Sequence, residues 1–236
     1  MPVSLKDQVV IVVGASSGMG RATAVLFARE GAKVMASARR EARLHELTEY
    51  GIAIHPADAS DPAAMERLAQ ASMRQFGRID TLIYATGTNI PDRALTRLTT
   101  ELWDMMVGVN LNGAYYATRA VLPSMRQQGA GSIYYISSKS AIVPDESGAA
   151  YQAAKRGLAG LAHAIRVEEK EHGIRTCVVC PGLTDTEILL NRPVRPTPQT
   201  LAKALQAEDV AELVLALAKL PARAWVPEVQ IYPASL

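Results

Sequence analysis

Cysteine is scarce in these 236 residues: there are two, Cys177 and Cys180. A C-x-x-C spacing can signal redox chemistry or half a zinc site. The run Thr176-Cys-Val-Val-Cys180 is rich in β-branched residues, however, and a strand rise of about 3.3 Å per residue would put the two Cα atoms about 10 Å apart, beyond disulfide reach. The four histidines, His45, His55, His163 and His172, show no ligand pairing with the cysteines, so buried thiols and no metal site are expected. Dense charge of one sign is also missing. Lys and Arg total 25 against 23 Asp and Glu, a formal net charge of +2, which argues against a nucleic-acid or acidic-membrane partner. Long apolar runs are absent too. The N-terminal run Val9 to Val13 is too short for a signal-peptide core and follows Lys6 and Asp7, and nothing is long enough to span a bilayer, so the cytoplasm is the expected location. There is no repeat, and the one linker-like stretch is Asn191-Arg-Pro-Val-Arg-Pro-Thr-Pro198, whose prolines suit a semi-rigid surface segment.

What is present is globular. With 49% hydrophobic and 20% charged residues, the chain suits one α/β domain over residues 1–236 with a sizeable core. Strand-like apolar runs at Val9–Val13, Lys33–Ala38, Ile52–Pro56, Thr81–Ala85, Gly131–Ser137, Arg175–Cys180 and Val229–Tyr232 alternate with helical patterns. That alternation predicts a seven-stranded parallel sheet, doubly wound in the Rossmann manner. Right-handed crossovers place helices on both faces and the site at the carboxyl ends of the strands.

Two motifs carry chemistry. Val9-Val-Ile-Val-Val-Gly14-Ala-Ser-Ser-Gly18-Met-Gly20 is a strand that turns through glycines into the helical pattern Arg21 to Ala28. Glycines allow close backbone approach, and the free N–H groups and positive dipole end of the following helix suit a pyrophosphate. The spacing is G-x-x-x-G-x-G, not the G-x-G-x-x-G of the common dinucleotide fingerprint, and no P-loop Lys-Ser/Thr follows. Further on, Tyr151 and Lys155 stand four apart in a helical run, on one face. A cation beside a phenol favours the phenolate, which would bring Tyr151 closer to acid/base work near neutrality.

Together these motifs resemble the short-chain dehydrogenase/reductase family, over essentially the whole chain. By that resemblance Gly14, Ser16, Ser17, Gly18, Met19 and Gly20 form the cofactor turn, with Val13 where the family usually has Thr. Asp58, with Ala59, is similar to the acidic residue that touches the adenine. Tyr84-Ala-Thr-Gly87 takes the place of N-N-A-G and keeps only Gly87, so apolar packing of Val13 is expected to replace a polar tie between the first and fourth strands. Asn110, Ser138, Tyr151 and Lys155 match the catalytic tetrad. Ser137 competes with Ser138, because adjacent strand residues face opposite sides. Pro181-Gly182-Leu-Thr184-Asp-Thr186 is similar to the loop that contacts the nicotinamide carboxamide, through Thr186, and residues 183–200 fall where the family carries its substrate lid.

The resemblance implies hydride transfer between a nicotinamide cofactor and a carbonyl or secondary alcohol. Tyr151 would handle the proton, Ser138 would bond the reacting oxygen, Lys155 would hold the nicotinamide ribose, and Asn110 would fix a water. An NAD enzyme usually places an acid at the end of the second strand; this chain has Ala38 followed by Arg39, so NADP(H) is preferred over NAD(H), with Arg39 on the 2′-phosphate and Arg40, Ser16 and Ser17 as added contacts. Ser140, Ile142, Val143, Pro144, Leu183 and Ile188 make the expected pocket mainly apolar, with Asp145 and Glu146 nearby. No Arg or Lys cluster announces an anion, which favours a neutral substrate. The tail around Glu208-Asp209-Val210-Ala211 and Glu228 to Pro233 resembles members acting on small hydroxy acids and aldehydes. Family resemblance also implies a homotetramer built through the helices carrying Asn110 and Tyr151. The rivals are a dinucleotide-sensing module without turnover and a structural subunit with vestigial cofactor binding; an intact tetrad argues against both.

Overall fold

Five consecutive apolar residues, Val9–Val13, form strand β1, and all five are buried. A strand with no solvent face belongs in a parallel sheet covered on both sides. The computed structural model describes residues 3–235 and places β1 beside β2 (Lys33–Ser37) and β4 (Thr81–Tyr84). With β3 (Ala53–Ile54), β5 (Gly131–Ile136), β6 (Ile174–Pro181) and β7 (Glu228–Ile231), the sheet runs β3-β2-β1-β4-β5-β6-β7, every pair parallel. From β1 the chain builds outward to β2 and β3, then returns to the other side of β1 for β4. The order reverses there, which opens a crevice beyond the carboxyl ends of β1 and β4.

Period-two alternation divides β1 between two cores. Val10 and Val12 join Phe27 of α1 (Gly18–Arg29) and Val210 and Val214 of α8 (Ala207–Ala218) on one face. Ile11 and Val13 join Leu68 of α3 (Pro62–Phe76), Val121 of α5 (Gly113–Gln128) and Leu158 of α6 (Ala149–Glu169) on the other. Each such side chain contributes about 1.5–3 kcal/mol by leaving water. Shorter helices, α2 (Glu41–His45), α4 (Thr100–Val107) and α7 (Pro198–Leu201), complete the connections.

Local chemistry starts and stops these elements. Asp61 caps α3, its carboxylate accepting from Ala63 N at 2.9 Å, Pro62 takes the first helical position, and Gly77 at φ 79° ends the helix. The seven expected strands are present, though β2 stops at Ser37 and β3 shrinks to Ala53–Ile54 at the sheet edge, where it has a partner on one side only. Cys177 and Cys180 lie on opposite faces of β6, one in each core, and burial pushes their thiols up to about 12 and about 11. Among the described residues no helix is long and apolar enough to cross a membrane.

Candidate active site

The glycine turn after β1 is shaped by what lies against it. Gly14 has φ 93°, and a Cβ there would stand 2.7 Å from the Thr86 backbone nitrogen; at Gly20 a Cβ would collide with the Gly14 carbonyl. Ser17, at the N-cap of α1, makes no side-chain capping bond, so the first amides of the helix are left for an external acceptor. Nearby, the buried Thr86 hydroxyl has no partner among the described residues. An open helix start above a floor that any Cβ would fill fits a dinucleotide pyrophosphate.

From this turn a cavity of about 480 Å³ runs along the ends of the strands to Ser138, Tyr151 and Lys155. Gly14, Ser16, Ser17, Gly18, Met19, Arg39, Asp58, Ala59, Gly87, Pro181, Gly182, Thr184 and Thr186 all line it. Gly20 and Asn110, both expected at the site, stand behind the lining. Gly20 lies beneath the Gly14 carbonyl, and Asn110 is fully buried.

At the adenosine end, Asp58 accepts from Ser60 N at 2.9 Å and Ser60 Oγ at 2.7 Å. Burial opposes its ionisation, but these bonds and the charge of Arg39 prevail and hold its carboxyl below the usual range. Arg39, the expected phosphate residue, and Arg40 are both exposed, but it is Arg40 that makes the contacts with the turn: its guanidinium bonds Ser16 Oγ at 3.0 Å, Ser17 Oγ at 2.6 Å and Glu187 at 2.7 Å. Glu187 belongs to the short 3₁₀ turn Glu187–Asn191 that follows β6. Arg40 therefore ties the glycine turn to the segment beyond Thr186.

At the far end, Ser137 and Ser138 separate as strand alternation requires. The Ser137 hydroxyl turns back to donate to the Lys155 carbonyl at 2.9 Å, leaving Ser138 in the cavity wall, where its hydroxyl donates to Ser140 Oγ at 3.1 Å, accepts from Ser140 N at 3.2 Å and lowers the pKa of Tyr151. Lys155 is buried, and its Nζ donates to the Ile136 carbonyl at 2.9 Å. Burial lowers its pKa to about 8.

The expected lowering of the Tyr151 pKa by Lys155 does not occur. Burial pushes Tyr151 up to about 12, and the groups that pull it down are Ser138, Arg192 and Arg93, while Asp145 pushes the other way. Lys155 Nζ sits 5.8 Å from the Tyr151 ring centroid with its ammonium turned to Ile136, so desolvation outweighs its field.

Asn110 lies in a π-helical turn, Gly108–Asn112, between α4 and α5. Its amide donates to the carbonyls of Thr88 (3.0 Å) and Met106 (2.8 Å), and its oxygen accepts from Thr88 N (3.1 Å). It thereby fastens the loop after β4 to the wide turn, a geometry found often at functional sites. A Cβ on Gly87 would come within 3.2 Å of Lys155 Nζ and 3.4 Å of Asn110 Oδ1, which gives a physical reason for the one glycine kept in Tyr84-Ala-Thr-Gly87. Tyr84 is fully buried in the same apolar cluster as Val13 and donates to the Val109 carbonyl at 2.6 Å, so the polar tie from β4 runs to the π turn.

The substrate end differs from its sequence expectation. Ser140, Asp145, Leu183 and Ile188 line the cavity, but Val143, Pro144 and Glu146 are exposed outside it, and Ile142 packs against the core. In their place stand Asn89, Arg93, Ser147, Leu189, Leu190, Asn191 and Arg192. Arg93 and Arg192 contradict the expectation that no basic groups gather here. They sit in aperiodic polar segments that leave no pattern in the sequence, so only the fold brings them together.

Comparison with known proteins settles the family. The family described as short chain dehydrogenase matches residues 8–195. The chain belongs to the short-chain dehydrogenase family. An uncharacterised oxidoreductase of Staphylococcus aureus (strain USA300) is 30% identical to this short-chain dehydrogenase over 233 residues, 97% of this chain and 98% of the relative. Among solved structures, the closed form of a serine dehydrogenase complexed with NADP+ is similar at 29% identity and TM-score 0.87, covering 95% of this chain and 94% of that one. An alcohol dehydrogenase from the archaeon Thermococcus sibiricus, complexed with 5-hydroxy-NADP, matches at 26% identity and TM-score 0.85, covering 97% of both chains.

Proposed function

We propose that this short-chain dehydrogenase is an NADP(H)-dependent oxidoreductase that moves a hydride between nicotinamide and a carbonyl or secondary alcohol carbon, with Tyr151 as general acid/base. The observation that carries the reading is one continuous cavity that joins the glycine turn to Ser138, Tyr151 and Lys155. NADP in the complexes of the serine and alcohol dehydrogenases supports the choice of dinucleotide, as do the missing acid at Ala38 and the two arginines that follow it.

The amides at the start of α1 and the glycine turn would hold the pyrophosphate. Arg40 with Ser16, joined by Arg39, would take the 2′-phosphate, Asp58 and Ala59 the adenine, and the Gly182-to-Thr186 segment the carboxamide. When bound, the dinucleotide supplies or accepts the hydride. Tyr151 gives its hydroxyl proton to the oxygen that becomes an alcohol and takes one back in the reverse direction, while Ser138 donates a hydrogen bond to the same oxygen. With its pKa at about 12, Tyr151 stays protonated across the neutral range and suits the acid role of carbonyl reduction. Lys155 binds the ribose and stands next in line to replace the lost proton, and residues 183–200 act as the lid. The same family reading carries a homotetramer built through the α4-to-α5 helical segment that holds Asn110 and through α6 with Tyr151, which light scattering reads; a stable monomer removes it.

The test is consumption of NADPH, followed by its absorbance, across a panel of ketones and aldehydes, alongside NADH. Turnover faster with NADPH is expected. Binding of NADPH with no turnover anywhere on the panel would put a sensing module in place of the enzyme, and failure to bind either dinucleotide would overturn the cofactor reading.

A further inference from the structure

We propose that Arg93 and Arg192 form a carboxylate-recognising pair, so that the alcohol or carbonyl compound taken by this site is an organic acid. The proposal rests on the oxidoreductase reading above and adds the substrate class to it.

Arg93 lies in the loop between β4 and α4, and Arg192 directly follows the 3₁₀ turn Glu187–Asn191. Although far apart in sequence, both line the cavity that holds Ser138 and Tyr151. Each lies near enough to Tyr151 to lower its pKa, and Arg192 in turn lowers that of Arg93, after the larger effect of burial. Two like charges partly withdrawn from water and placed side by side disfavour folding unless an anion joins them. Among the described residues neither makes an ion pair, although Arg40, Arg78, Arg97 and Arg126 each do.

Arg93 is held in place. Its Nε donates to the Ile90 carbonyl at 3.0 Å and its Nη2 to the Asn191 carbonyl at 2.6 Å, next to Arg192. A Cβ on Gly148, the residue that precedes α6, would lie 2.8 Å from the Arg93 Cβ, so that glycine lets the Arg93 loop close onto the start of the helix that carries Tyr151. Asn89 Nδ2 bonds the Ser147 carbonyl at 3.0 Å and clamps the same junction. A guanidinium has five N–H donors, and the two carbonyls leave most of those on Arg93 free.

The acids nearby are already engaged. Asp145 accepts from Ser140 Oγ at 2.6 Å and Ser147 N at 2.9 Å and feels the charge of Lys139, and Glu187 is taken by Arg40 and Arg43. The Asp145 charge also acts on Arg93 and Tyr151, but it stands alone against Arg93, Arg192 and Lys139 in the cavity wall, so the excess charge there is positive. A planar guanidinium fork matches a carboxylate, and Asp145 in the cavity wall repels a phosphate dianion more than a carboxylate monoanion.

The test compares short 2- and 3-hydroxy acids with their methyl esters as substrates for oxidation by NADP+, together with the phosphate monoester of a short diol. The wild-type protein should favour acid over ester by at least tenfold in kcat/KM. Arg192→Gln and Arg93→Gln should each cut that preference about tenfold, mainly through KM, and Arg192→Lys should restore part of it. Unchanged NADPH affinity and circular dichroism in the variants exclude a folding defect. A wild-type protein that prefers esters, a preference untouched in both Gln variants, or a phosphate monoester favoured over the acids would each overturn the proposal. Turnover of neutral ketones without acids would overturn it while sparing the oxidoreductase reading; no turnover at all, with NADPH bound, would sink both.

Discussion

The two ends of the cleft are built by different means. At the dinucleotide end, the decisive residues are neighbours in sequence: Gly14, Ser16, Ser17, Gly18 and Gly20 form one turn, and its shape follows from backbone that a side chain would block. At the catalytic end, Ser138 comes from the end of β5, Tyr151 and Lys155 from α6, Arg93 from the loop after β4 and Arg192 from the segment after β6. The first end works by leaving side chains out. The second works by burying polar ones, at a cost in stability, where burial raises Tyr151 and lowers Lys155. Binding and chemistry should therefore be separable by mutation.

Tyr151→Phe makes the sharpest cut. Loss of the hydroxyl should lower kcat about 1,000-fold, in the range of general acid catalysis, while NADPH affinity changes little. Stopped-flow turnover and fluorescence titration check both halves, and a variant that keeps a tenth of the wild-type rate would erase the division of labour between the two ends.

Arg40→Ala sharpens the comparison from the other side. Its guanidinium bonds Ser16 and Ser17, so its removal should weaken NADPH binding about 10- to 100-fold, the scale of charge-assisted bonds, with kcat nearly unchanged. Arg39→Ala, which removes an exposed group that bonds neither serine, should cost less. Kd values for NADPH and NADH in both variants decide the order, and equal losses would return Arg39 to the leading place.

The remaining effect is on stability, not on binding or rate. A lysine lowered from 10.5 to about 8 binds its proton less readily when folded than unfolded, so its contribution is fully favourable only above pH 10.5 and is lost as pH falls through 8. At pH 7 the buried ammonium costs on the order of 3 kcal/mol, which Lys155→Met should recover in the absence of dinucleotide. Thermal unfolding should show Lys155→Met melting above wild type at pH 7, with the gap closing between pH 8 and 10.5. A gap that does not depend on pH would show that Lys155 is buried without titrating.

Much of the architecture was legible because it is periodic. The β1 run and its glycines, the spacing of Tyr151 and Lys155, and the alternation that separates Ser137 from Ser138 follow from repeats of two and about four residues. The substrate wall was misread for the opposite reason. Val143 and Pro144 follow the catalytic strand in sequence, yet the chain turns them to solvent, while Arg93 reaches the cavity only because Gly148 and Asn89 let its loop close on α6.

By itself, the sequence determined the seven strands, the parallel pairing that helical crossovers enforce, and the glycine turn, since backbone sterics and apolar period act over a few neighbouring residues. Only the tertiary structure decided which charges meet. It turned Lys155 toward Ile136, gave Ser16 and Ser17 to Arg40, and set Arg93 and Arg192 around Tyr151. Electrostatic fields and desolvation depend on distance through space and on exclusion of water, and neither is written in spacing along the chain.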